Sequence, residues 1–152
     1  MRCRPGSRHG ATTVEFAFVA PVALVLLLGI IIGGLAVFRF QEIATLAREA
    51  ARYASVHGTE YARENRLPAA TAQSIYDNVI AAKGVCLDLS ALTYSVTWNT
   101  DNRPIRWVQD ANGNMVGTVN TVTVTISYNW LPEGFFSGGA TMTSSSTQIM
   151  TY

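Results

Sequence analysis

Between Phe16 and Phe38 the chain carries no Asp, Glu, Lys or Arg for 23 residues. As a helix rising ~1.5 Å per residue, such a run spans about 35 Å, enough for a hydrocarbon core of ~30 Å with some tilt. A helix buried in a soluble domain is seldom so long and so free of charge. A cleaved secretory signal would have an apolar region of ~7 to 15 residues followed by a small-x-small site. This run is longer and ends in AVFRFQEIA, a poor cleavage context. Residues 11–38 are therefore expected to form a retained membrane helix.

Charge gives the expected orientation. Arg2, Arg4 and Arg8 precede the run with no acid among them, whereas Arg39 and Glu42 open a mixed-charge stretch after it. The positive-inside bias puts residues 1–10 in the cytoplasm and residues 39–152 outside, in the periplasm or an equivalent compartment. Beyond Gly10, eight basic residues face ten acidic ones. With no basic stripe, nucleic acid is not an expected partner; membrane lipid is.

Three features inside the apolar segment carry chemistry. Pro21 would cost about 3 kcal/mol in a soluble helix interior but is tolerated as a kink in a membrane helix. Gly29 and Gly33 are four apart in GIIIG. That spacing suits close helix approach, although glycine is also simply common in such helices. Glu15 lies at the segment's mouth. An acid there can stay wet and favours the helix dipole, or it can be offset by a positive charge close by. A cut between Gly10 and Ala11 would create such a charge, an amine about one turn from Glu15.

A short basic leader, Gly10, a small residue, glutamate five positions after the glycine and a long apolar helix together resemble type IV prepilins. GATTVEFAFVAPVALVLLLGI, continuing through LAREAARYASVHG, is most similar to the TadE-like pseudopilins of the tight-adherence (Tad, Flp) pilus and secretion system. The resemblance implies cleavage after Gly10 by a membrane-embedded aspartic prepilin peptidase, with Glu15 acting in subunit registration or peptidase recognition. It also implies a pilin-like subunit of the bacterial inner membrane, with other pilins or pseudopilins and assembly proteins as partners. Similar sequences usually continue GIIEFGR where this one has GIIIGGLAVFR, so a second acid is missing here. The competing expectation is an uncleaved signal anchor whose outer domain binds a ligand or partner; such an anchor needs neither Gly10 nor Glu15.

The expected fold is α+β: the membrane helix continuing into an amphipathic helix, then a short helix and a small antiparallel β-sheet. Ile43, Leu46, Ala47, Ala50, Tyr53 and Ala54 recur at helical spacing, with Arg48, Glu49 and Arg52 opposite. Gly58 is the expected C-cap stop. TEYARENRLPAA reads as a connector or short helical turn, with Pro68 suited to a helix start. Residues 69–84 then read as a helix, with Ile75, Val79 and Ile80 inward and Gly84 closing it. From Leu92 the period switches to two: 92–98, 118–130 and 140–152 are expected strands, with Asn112 and Gly113 in a tight hairpin turn.

Enzymatic chemistry, a metal site and a cofactor are not expected. Asp110, Asn112 and Asn114 alternate as in a calcium loop, but Met115 and Thr121 occupy the positions where that loop needs Gly and Glu. A hairpin turn is preferred. His9 falls in the leader, and His57 suits a helix C-terminus. TSSST at 143–147 has hydroxyls without a G-x-S-x-G context and reads as strand material. Cys3 and Cys86 lie on opposite sides of the apolar run, and Cys86 is expected to be a small buried hydrophobe.

Overall fold

The computed structural model describes residues 9–131 and 139–152. Met1–Arg8, with Cys3 and the three leader arginines, lie outside the described residues. Helix α1 runs His9–Val56, with Pro21 inside it. The chain forms two compact units, one up to Val37 and the other from Phe38 onward.

In the first unit, the large apolar side chains from Val14 to Val37 are exposed apart from the half-buried Leu28 and Ile32, and the most apolar 18-residue window has a mean hydropathy of 2.8 with none of it buried. This helix is long and apolar enough to cross a membrane, as the charge-free run requires.

The second unit is built on the end of α1. Ile43, Leu46, Ala47, Ala50, Ala51 and Ala54 are buried, and four alanines let the helix approach its neighbours closely. The core is completed by Val122, Val124, Ile126 and Tyr128. These alternate inward along β4 (Thr121–Trp130), each contributing about 1.5–3 kcal/mol on burial. Strand β4 is central in a three-stranded antiparallel sheet, ordered β1 (Leu92–Trp98), β4, β5 (Ala140–Ile149). The fold is α+β.

Short helices link α1 to the sheet. Helix α2 (Thr59–Asn65) realises the helical alternative for TEYAREN. Pro68 does not start a helix: α3 (Ala72–Ile75) begins four residues later, where Thr71 and Ser74 form a reciprocal capping box. It continues as a π turn (Tyr76–Ile80) and α4 (Ala81–Lys83), ending before Gly84. Ile75, Val79 and Ile80 are buried as their spacing requires. Gly58 is not a left-handed cap. Helix α1 ends two residues earlier, and Gly58 has φ −76° and ψ −163°. Its role is close approach: a Cβ there would lie 2.0 Å from the Tyr152 carbonyl oxygen.

The alternating stretch 118–130 is not one strand. Residues Met115–Val119 form β3, paired with β2 (Ile105–Gln109) in a separate two-stranded ribbon, and β4 begins only at Thr121. Asn120, fully buried, makes the break. Its Nδ2 donates to Asp101 Oδ1 at 2.6 Å and to the Arg103 carbonyl at 2.9 Å. Its backbone N–H donates to the Pro104 carbonyl, while its own carbonyl accepts from Met150. Period-two patterning cannot reveal this change of partner, because both strands keep the pattern. Asn120→Ala should leave Asp101 and Arg103 without their donor. A loss of about 2–3 kcal/mol is expected in denaturant unfolding of the full chain in detergent.

The turn between β2 and β3 also differs from a two-residue Asn-Gly hairpin. Gln109 pairs with Met115, leaving 110–114 as the loop. Among the described residues only Gly113 (φ 86°) and Arg66 (φ 56°) have positive φ, so Asn112 lacks the left-handed geometry that such a turn needs. The C-terminal strand ends at Ile149; Met150 is buried beyond it.

Candidate functional site

The candidate site is the head of α1. Gly10 and Ala11 already have helical backbone, and Glu15 is exposed. Four residues of helix separate Ala11 from Glu15, so both share one face about 6 Å apart along the axis. An amine at Ala11 and the Glu15 carboxylate are thereby brought within one turn. The helix runs on through Pro21, whose missing N–H leaves the Ala17 carbonyl without its helical donor. A Cβ built on Gly29 or Gly33 would meet nothing within 4 Å. Nothing within this chain therefore requires glycine there, and the small surface is free for a neighbouring helix.

The family model described as TadE-like protein matches residues 10–52. Over these residues the chain is similar to TadE-like proteins. The matched segment opens on Gly10, takes in Glu15 and the whole charge-free run, and ends at Arg52, after most of the buried stripe. The long apolar helix fits a single-pass membrane protein. No curated protein and no solved structure gives a significant match to the chain.

Outside the TadE-like segment, the residues singled out in the sequence serve the fold. Asp110 Oδ1 accepts from the backbone N–H groups of Asn114 (2.8 Å) and Asn112 (2.9 Å). The Asn114 bond chiefly holds its carboxyl below the ordinary carboxylate range. The carboxylate is thus spent on its own turn. His57 is half-buried; its Nδ1 donates to the Tyr53 carbonyl at 2.9 Å, and its ring stacks on Tyr53 and meets the edge of Tyr61. Cys86 is exposed, contrary to the expectation of burial. It lies in a turn after α4, with its backbone N–H on Glu42 Oε1 at 3.3 Å.

The hydroxyls of TSSST do more than fill a strand. Thr123 with Thr147, Thr125 with Ser145 and Ser127 with Thr143 are hydrogen-bonded at 2.8, 3.0 and 2.9 Å. They form a polar ladder on the outer face of β4 and β5. The sequence signal for it was present, as hydroxyl residues at every second position of both strands.

Proposed function

We propose that this protein is a minor pseudopilin or assembly component of a Tad/Flp-type pilus or secretion system, cut after Gly10 by a prepilin peptidase. It sits in the bacterial inner membrane, N-terminus in the cytoplasm and α+β domain outside. Its contribution is structural. The membrane helix packs against those of other pilins or assembly proteins, and Glu15 meets an Ala11 amine of its own or a neighbouring subunit. The observation that carries this reading is the TadE-like segment opening on Gly10, with Glu15 one turn beyond Ala11 on the same helical face.

Intact mass and N-terminal sequencing of the protein from membranes containing its native peptidase test it. The expected mature chain begins ATTVEF. A chain that still carries RCRPGSRHG would overturn the processing and favour the uncleaved anchor.

Glu15 gives a second expectation. Glu15→Ala removes a charge and no apolar surface, so membrane insertion should be unchanged or slightly easier. Incorporation into the assembled machine should drop by roughly tenfold, the worth of one offset charge pair in a poorly solvated setting. Comparing extraction-resistant protein with co-purified assembly partners separates the two. Normal co-purification of Glu15→Ala would remove the pairing role.

A further inference from the structure

We infer that the turn at Val85 and Cys86 rests in the lipid headgroup layer, a second point of membrane contact beside α1. This rests on the reading of α1 as a membrane helix. The charge-free run ends at Phe38, so hydrocarbon gives way to headgroups at about that residue. Each headgroup layer is roughly 5–8 Å deep. Arg39 and Glu42 follow on the same helix, about 1.5–6 Å beyond Phe38 along its axis. Helical side chains lean towards the N-terminus, here the lipid end. Glu42 Oε2 lies 3.9 Å from Arg39 Nη1, three residues nearer the run. The other oxygen, Oε1, accepts from the Cys86 N–H at 3.3 Å. The turn is thereby held at headgroup depth.

What the turn presents there suits lipid. Val85 is 84% exposed, more than any other large apolar side chain among the described residues. Cys86 is exposed beside it. The backbone is fastened on both sides. Gly84 N–H donates to the Ile80 carbonyl, Val85 N–H donates to the Lys83 carbonyl, and Leu87 is buried in the core. The valine is left pointing outward, where water offers it nothing and the headgroup–acyl boundary would bury its surface. Nearby charges are already offset. Lys83 pairs with Glu49 at 2.6 Å, Arg39 faces Glu42, and the Asp88 carboxylate accepts from Ser90 N–H and Oγ. The occupant is lipid of the membrane that α1 crosses, since that surface lies within about one helical turn of Glu42. Two contacts, one helix and one turn, resist tilting of the second unit away from the bilayer.

The test uses the full chain with Cys3→Ser, reconstituted in phosphatidylcholine vesicles and carrying a nitroxide on Cys86. Electron paramagnetic resonance power saturation reads its collisions with oxygen, which partitions into lipid, and with a water-soluble nickel chelate equilibrated across the bilayer. Two references are made in a chain with Cys3→Ser and Cys86→Ser. Ile31→Cys lies inside the charge-free run, and Asn112→Cys lies in the exposed loop between β2 and β3. Nickel collisions at Cys86 should be at least about threefold fewer than at position 112, and oxygen collisions more frequent. Val85→Asp, at a position with little packing to lose, should restore nickel collisions by about the same factor. Nickel access at Cys86 equal to that at position 112, with position 31 shielded, would overturn the inference and leave the membrane helix standing. Nickel access at position 31 would overturn both. Shielding of Cys86 from oxygen and nickel alike would put protein against the turn. Shielding unmoved by Val85→Asp would mean that the valine does not hold it there. Either result also overturns the inference.

Discussion

Gly10→Phe should leave the precursor uncut while it still enters the membrane. Insertion depends on the charge-free run from Phe16 to Phe38 and on the leader arginines, and the substitution touches neither. Cleavage requires the Gly10–Ala11 bond to reach the peptidase's reacting groups in a fixed geometry. A displacement of ~1 Å at such a bond costs on the order of 100-fold in rate. A benzyl group in place of a hydrogen cannot be accommodated with less in a subsite shaped for glycine. Gly10→Ala adds one methyl and should be cut at an intermediate rate. The mass of the membrane-extracted chain reads processing, and protease accessibility of the outer domain reads insertion. A Gly10→Phe chain cut at the parent's rate would mean that glycine is not what the peptidase reads here. Failure of both processing and insertion would point to the leader's part in topology.

The helix that carries these residues is legible in the sequence because its physics is local. A membrane helix is written as absence of charge over a fixed length, and the spacing from Ala11 to Glu15 becomes proximity as soon as the segment is helical. The buried stripe from Ile43 to Ala54 and the alternation of β4 are equally local, and both face inward as patterned. What escaped depends on contacts between residues far apart in the chain. Asn120 divides an unbroken alternating stretch because Asp101, Arg103 and Pro104 bind it, and no periodicity records them. Arg66, not glycine, takes the left-handed position closing α2. Cys86 is exposed because the turn after α4 is held by Glu42 from the first helix, a partner 44 residues away.

Gly58 yields the largest expected loss of stability. A β-carbon there would stand 2.0 Å from the Tyr152 carbonyl oxygen, 2.9 Å from Met150 Cε and 3.0 Å from the Asn102 carbonyl oxygen. The methionine end can swing aside; the two backbone oxygens cannot move alone. Displacing the first strains the Thr151 and Tyr152 N–H bonds to Ser55, and displacing the second strains the Thr59 N–H bond to Asn102. Gly58→Ala should therefore cost about 2–4 kcal/mol in denaturant unfolding of the full chain in detergent. Gly113 is the informative contrast, since its φ of 86° disfavours any side chain, yet its nearest neighbour to a Cβ is the flexible Gln109 amide at 3.7 Å. Gly113→Ala should cost only about 1–2 kcal/mol, the strain of a left-handed residue in an exposed loop. Backbone angles alone would rank the two the other way. If Gly58→Ala proves the milder substitution, the C-terminal segment is loosely held against α1 and the closure between Ser55 and Thr151 contributes little to the outer domain.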